Sequence, residues 1–201
     1  VVVAFIEENG APIELIQEPG AHRKREGTKE IVYSERIYLT DLRPGDAVEL
    51  YGYRALTEVY QFQSWFPENI SEAEEFILKH SVNSRGEVGS WKQYGIYLSD
   101  SAELIGDCGY HRLSETEAEI GYSIAPGQQR HGFGSEAVGT LTDHLFRKKG
   151  IETIIARTDP ANNPSNILLE KQGFTLKEHL KNAVEIRGEW VDELVFELKK
   201  K

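Results

Sequence analysis

Ile120-Gly121-Tyr122-Ser123-Ile124, broken by Ala125-Pro126 and continued by Gln128-Gln129-Arg130-His131-Gly132-Phe133-Gly134, is the stretch whose reading decides the fold. It reads as a strand, a glycine-rich turn and the opening of a helix. The helix is predicted over Gly132–Lys149. Ala137, Leu141, His144 and Leu145 recur at helical spacing there, and Lys148-Lys149-Gly150 supplies a C-terminal stop. A helix start carries unpaired N–H groups and the positive end of the helix dipole. Glycines let the backbone come close to an anion, so the arrangement suits a pyrophosphate, with Arg130 and His131 adding positive charge. The same pattern also serves as a plain tight turn. A nucleotide P-loop fits worse, because no Gly-Lys-Ser/Thr is present. A Rossmann fingerprint fits worse too: the third glycine is missing and the preceding strands read as antiparallel.

Upstream, Gln93–Leu98, Glu103–His111 and Ala118–Ile124 read as three strands. The short polar breaks between them, Ser99-Asp100-Ser101 and Ser114-Glu115-Thr116, suit antiparallel hairpins. Further back, Ile31–Leu42 reads as a strand with Ile37 and Leu39 on one face, and Pro44–Leu56 as a helix. Ser71-Glu72-Ala73-Glu74 reads as a capping box opening a helix through Lys79 or beyond, followed by a turn-rich loop over Asn83–Ser90. Downstream come a strand over Ile151–Thr158, a short helix over Ser165–Lys171 stopped by Gly173, and final strands over Phe174–Leu180 and Val191–Leu198. Residues 1–18 read as a hairpin turning at Asn9-Gly10, and the charged stretch 19–30 as an exposed linker. The chain therefore divides into an N-terminal hairpin with its linker, 1–30, and an α+β domain, 31–201.

The 201 residues suffice for one sizeable core. No apolar run approaches the roughly 20 residues a spanning helix needs. Val1-Val2-Val3-Ala4-Phe5-Ile6 lacks a basic flank and reads as a strand, not a signal peptide. A formal charge of −10 argues against nucleic acid, which needs a concentrated basic surface, and is compatible with a cationic amine acceptor. The one cysteine, Cys108, excludes an internal disulfide and makes the reducing cytoplasm the expected home. It lies in the apolar run Leu104–Tyr110 and reads as core, not nucleophile. The sequence contains no methionine, so its numbering is expected to start inside a longer chain. His111, His131 and His144 are dispersed without metal-ligand spacing, and no metal is expected.

At the glycine-rich turn the chain resembles the GCN5-related N-acetyltransferase (GNAT) family, whose acyl-CoA loop reads Gln/Arg-x-x-Gly-x-Gly/Ala. Gln129, Gly132 and Gly134 match it in register, and the resemblance runs from about Tyr33 to Lys199. Within the family the chain is similar to the Rim-type branch that acetylates N-terminal amines of ribosomal proteins. Ser34-Glu35-Arg36-Ile37-Tyr38-Leu39 resembles its opening strand, Trp65-Phe66-Pro67 its substrate-side loop and Glu119-Ile120-Gly121-Tyr122 its fourth strand. Asn162-Asn163-Pro164-Ser165, with Leu169-Glu170-Lys171-Gln172-Gly173-Phe174, resembles its Asn-x-x-Ser…Glu-Lys-x-Gly-Phe signature. The resemblance implies an α/β sandwich whose mixed, mostly antiparallel sheet splays after the fourth strand, with helices on both faces. It implies acetyl-CoA as cosubstrate. The pantetheine arm would lie in the splay against Tyr122, Ser123 and Ile124. The pyrophosphate would rest on the N–H groups of Gln129, Arg130, His131, Gly132, Phe133, Gly134 and Ser135. Asn162 and Ser165 would face the pantetheine and the thioester.

The implied reaction is direct attack of a primary amine, on a protein N-terminus or a small molecule, within a ternary complex. A protonated amine must first lose a proton, the oxyanion needs donors, and the leaving thiolate can use an acid. Glu119 stands at the strand position where histone-modifying relatives place a glutamate, though one residue short of the same loop spacing, and is the first candidate base; Glu117, two residues earlier on the same strand face, is the reserve. Glu119 also reads as a solvated strand residue pairing with a cation. Many family members carry a tyrosine acid four residues before the Gly-Phe glycine; here Leu169 stands there, so that role does not carry over. In the ribosomal-protein branch a serine stands in, and Ser165 occupies its place, although it equally reads as a helix-start hydroxyl bonding locally. Tyr51, Tyr53, Tyr60, Phe62, Trp65 and Phe66 cluster in the segment expected to roof the acceptor site. Core packing is their default, with Trp65 or Phe66 the candidates for acceptor contact. The missing tyrosine keeps open a second reading, a non-catalytic CoA-binding or regulatory module.

Phe5–Gln17 resembles the closing hairpin of the glyoxalase (vicinal oxygen chelate) fold, in which a glutamate at the place of Glu14 is often a metal ligand. The other ligands are absent, so the segment reads as the tail of a truncated or fused domain, or as a fortuitous hairpin. An edge hairpin also offers a surface for a second copy, so a homodimer is compatible with the sequence, while neither nucleic acid nor a membrane is an expected partner.

Overall fold

The computed structural model describes residues 30–63, 65–186 and 188–201. The hairpin expected over 1–18, with Glu14, and the linker as far as Lys29 lie outside the described residues.

Alternating apolar runs pair into one sheet of eight strands, β1 (Ile31–Tyr33), β2 (Ile37–Asp41), β3 (Trp91–Leu98), β4 (Leu104–Arg112), β5 (Glu117–Ile124), β6 (Thr153–Thr158), β7 (Thr175–Ile186) and β8 (Glu189–Lys199). Their order is β1-β2-β3-β4-β5-β6-β8-β7. The β5–β6 contact is parallel and the other six are antiparallel; among these, β3–β4 and β4–β5 are the hairpins that the short polar breaks predict. The parallel step is made possible by the crossover through α4 (Phe133–Lys148), because parallel neighbours need a long connection.

Strand alternation divides the side chains between two faces. Cys108 and Tyr110 of β4 join Ile37, Leu39, Tyr94, Ile96 and Phe196 in the main core, against Leu141 and Leu145 of α4. Asp107, one residue before Cys108 and so out of phase with both, turns to the other face. There α1 (Ala47–Arg54) and α3 (Ile70–Ile77) pack through Leu50, Tyr53, Ala73 and Ile77. Two short helices complete the set, α2 (Thr57–Tyr60) and α5 (Asn163–Lys171).

Three expectations need correction. Ile31–Leu42 is not one strand: the chain reverses at Ser34-Glu35-Arg36, with Ser34 N–H donating to Ile37 O at 2.9 Å, so β1 and β2 form a hairpin. Ser71 does not cap α3. Asn69 does, its Oδ1 accepting from Glu72 N–H at 3.0 Å, while the Glu72 carboxylate accepts from Glu68 N–H at 2.9 Å. The cap is thus two residues upstream, and the helix runs on beyond Lys79, as expected, through a π turn at Leu78–Val82. The penultimate strand does not stop at Leu180. It continues to Ile186 past a register shift at Leu180/Val184, where Asn182 adopts φ +45°.

Candidate active site

The parallel pairing of β5 with β6 runs only from Glu117↔Thr153 to Ile120↔Ala156. Beyond it Gly121–Ile124 keeps its antiparallel partner β4 but has nothing on the β6 side. Ala125 N–H donates to Ile105 O of β4 at 2.9 Å. By alternation Ser123 shares that direction, and Tyr122 and Ile124 aim their backbone groups into the gap. The splay thus offers the backbone groups of Tyr122 and the N–H of Ile124, whose carbonyl is met by Gln129 Nε2, with Ser123 turned the other way. Ser123 Oγ is buried, has no hydrogen-bond partner among the described residues, and belongs to a residue that lines the same cleft.

The gap opens into a cleft of about 1340 Å³. From the donor-side residues named above it is lined by Tyr122, Ser123, Ile124, Gln129, Arg130, Gly132, Gly134, Ser135, Asn162 and Ser165, together with Glu119. Trp65 lines it from the segment after α2. His131, Phe133, Phe66 and the reserve base Glu117 are not among the lining residues. His131 is exposed, its ring 6.0 Å from that of Phe133, and Phe133 packs on the core. Phe66 stacks on Tyr60 at 4.4 Å, while Trp65 stacks on Phe76 at 4.4 Å with the Arg54 guanidinium beside both rings.

Gln129 plays a shaping part. Its N–H donates to Pro126 O at 3.2 Å and its side-chain Nε2 to Ile124 O at 3.0 Å. The donors left over begin one residue later. Among the described residues no acceptor meets the backbone N–H groups of Arg130 to Ser135, and regular helical bonding resumes with Glu136 N–H to Gly132 O at 3.1 Å. Arg130 and Gly132 both hold positive φ, +65° and +85°. Such turns gather successive N–H groups into an anion-binding concavity at a helix start. A Cβ added at Gly134 would stand 3.0 Å from Leu168 Cδ1, so even a methyl group there needs Leu168 to give way and a longer side chain would crowd the cleft.

Burial raises the Glu119 carboxyl above its ordinary value. Arg157 opposes this, with Nε 3.3 Å from Glu119 Oε2, but it is shared with Glu193, whose carboxylate lies 2.6 Å from Nη1. Both sequence readings of Glu119 are therefore present in one geometry: a half-buried carboxyl on the cleft and a cation beside it. On the other side of the cleft, Ser165 stands in the first turn of α5, its N–H donating to the Asn162 cap at 3.3 Å. Its Oγ lies 2.7 Å from the hydroxyl of Tyr122. Burial pushes that phenol up to about 12 against the pull of the Ser165 bond, so it stays protonated at neutral pH. Sequence reading gives Tyr122 only a backbone role, because nothing in a strand pattern tells which hydroxyl a side chain will meet across 43 residues. Leu169 is buried in the core. Cys108 is wholly buried as well, and that burial drives its thiol well up, which suits a core residue.

A family model, the acetyltransferase (GNAT) domain, matches residues 36–175. The chain belongs to the GNAT acetyltransferase family. It is 30% identical over 175 residues to an uncharacterised N-acetyltransferase, p20, of Bacillus licheniformis, covering 86% of this chain and 97% of that one. It is 28% identical over 117 residues to the ribosomal protein uS5 alanine N-acetyltransferase of Escherichia coli, covering 57% of this chain and 60% of that one. In fold it is similar to a ribosomal L7/L12 alpha-N-protein acetyltransferase solved with coenzyme A. That likeness has a TM-score of 0.76 at 19% identity, over 85% of this chain and 98% of that one. GNAT membership gives the sheet, the splay and the loop a common purpose.

Proposed function

We propose that this GNAT protein transfers an acetyl group from acetyl-CoA to a primary amine by direct attack in a ternary complex. The observation that carries the reading is the open edge of β5, which leads from Tyr122 and Ile124 straight to the unpaired N–H groups of Arg130 to Ser135. Acetyl-CoA supplies the thioester carbon. The backbone of Tyr122 and Ile124 orients the pantetheine arm, and the loop N–H groups hold the pyrophosphate. Asn162, spent on capping through Oδ1, keeps its amide donors available toward the arm. Glu119 takes the proton of the acceptor ammonium, directly or through water, and its raised affinity for a proton suits that task. Ser165, held by Tyr122, donates toward the leaving sulfur in place of the tyrosine absent at Leu169. Trp65 covers the acceptor. Likeness to the uS5 and L7/L12 enzymes supports a protein N-terminus as acceptor, with small amines as the other class.

Thermal shift with acetyl-CoA, followed by turnover over a panel of amines and N-terminal peptides, tests this. The expected result is stabilisation by acetyl-CoA and release of free CoA with at least one acceptor. Stabilisation without turnover on any acceptor would favour a non-catalytic CoA-binding module. No stabilisation and no turnover would refute the donor assignment.

A further inference from the structure

The acyl-CoA loop is tied to the β1–β2 turn by Arg36, which sequence reading places merely in an opening strand. Its backbone N–H donates to Glu136 Oε1 at 2.7 Å and its Nε to Glu136 Oε2 at 2.8 Å, with Nη2 2.7 Å from the same oxygen. Its Nη1 donates to His131 O at 3.0 Å. Its guanidinium carbon lies 4.6 Å from the Phe133 ring centroid, and a Cβ on Gly132 would meet Nη2 at 3.4 Å. One side chain from a turn 100 residues before Glu136 in sequence thus touches His131, Phe133 and Glu136 and stands beside Gly132.

Two physical consequences follow. Arg130 is a non-glycine residue in the left-handed region, and such a conformation persists only where its surroundings over-determine it. The His131 carbonyl that Arg36 holds lies between Arg130 and Gly132, the two positive-φ residues that turn the N–H groups toward the anion. Glu136, meanwhile, sits in the first turn of α4, where its charge competes with a pyrophosphate for the same positive helix end. Burial alone would raise the Glu136 carboxyl, but the bonds from Arg36 outweigh it and keep the group ionised and paired.

We propose that Arg36 is a positioning residue for the acyl donor: it holds the His131 carbonyl so that the loop N–H groups face the pyrophosphate, and it neutralises Glu136 beside them. The proposal rests on the acetyl-CoA reading above.

Titration with two donors separates a positioning role from a merely structural one. Acetyl-CoA carries the pyrophosphate; S-acetylpantetheine keeps the arm and thioester and lacks it. Arg36→Ala is expected to weaken acetyl-CoA binding about tenfold and to leave the Kd of S-acetylpantetheine within about twofold. Arg36→Lys keeps the charge without the fork and should fall between wild type and Arg36→Ala. Adding Glu136→Gln to Arg36→Ala removes the uncompensated carboxylate and should recover part of the loss. Equal weakening toward both donors, or an unchanged Kd for acetyl-CoA, overturns the proposal. Should Arg36→Ala fail to fold, Arg36→Lys and Glu136→Gln carry the same comparison, and selective weakening toward acetyl-CoA in Arg36→Lys remains the required result. Wild-type protein that binds neither donor overturns the acetyl-CoA reading itself, a failure visible before any substitution is made.

Discussion

Glu119 is pulled in two directions, and the balance decides whether it can work as a base. Burial disfavours its charge, Arg157 favours it, and Glu193 draws Arg157 away, so the net shift is upward. A base must be ionised to act, so activity should rise as pH climbs through a carboxyl titration above the ordinary 4.5. Glu119→Gln should remove that limb and lower kcat/KM on the order of 10²-fold, read as a pH–rate profile with the best acceptor found. The stability sign is opposite. A raised carboxyl contributes fully below its unfolded value and loses that contribution as pH rises through the folded one. Glu119→Gln should therefore not lower the melting temperature at neutral pH through this carboxyl. Across the cleft, Tyr122 and Ser165 share one hydrogen bond, and their substitutions should not be additive. Tyr122→Phe and Ser165→Ala should each lower kcat, and the double variant should be little worse than Ser165→Ala alone. Fully additive losses in that cycle would mean the two hydroxyls act independently.

At the scale of elements, the sequence is legible where chemistry is local and illegible where it depends on a partner. The helix over Phe133–Lys148 and strands β3 to β6 stand within two residues of their expected bounds, because periodicity and short breaks carry them. The cap of α3 is displaced because Ser71 and Asn69 both precede an acidic residue three positions on, Glu74 and Glu72, and only the tertiary fold selects between them. The difference is measurable. Asn69→Ala should cost about 1 kcal/mol in urea unfolding, whereas Ser71→Ala should stay within about 0.5 kcal/mol. In the acyl-CoA loop the glycine pattern is legible, but the use of Gln129 N–H within the turn is not, since a residue's backbone partner is not written in its type. Gly134→Glu places a long, charged chain where even a Cβ stands 3.0 Å from Leu168, next to the helix end proposed for the anion. That variant should show no thermal shift at acetyl-CoA concentrations that stabilise the wild type, and an unchanged Kd would mean the pyrophosphate lies elsewhere.

At the scale of the whole molecule, the donor and acceptor sides hang on different parts of one sheet. The loop and α5 rest on the core that β5 shares with α4, whereas Trp65 rests on α1 and α3 through Arg54 and Phe76. What fixes α1 to the sheet is a buried polar cluster invisible to hydrophobic patterning. Asp107 of β4 accepts from Tyr53 OH at 2.6 Å, from Arg54 Nε at 3.0 Å and Nη2 at 2.5 Å, and from Gln93 Nε2. Asp107 lies mid-run among apolar residues, where sequence reading sees only a strand. Its carboxylate is wholly buried, and so is nearly all of the Arg54 side chain, so the pair is maintained by mutual compensation. Asp107→Ala would leave the guanidinium buried without a counter-charge at a cost of about 3–5 kcal/mol, which in a chain of this size lowers the melting temperature by on the order of 10 °C. The loosened Arg54 should let Trp65 and Phe76 move, so KM for the acceptor should rise while the Kd of acetyl-CoA changes little. Calorimetry and a two-substrate kinetic matrix on the same variant check both parts. A loss shared equally by donor and acceptor would show that the two halves of the cleft are one mechanical unit.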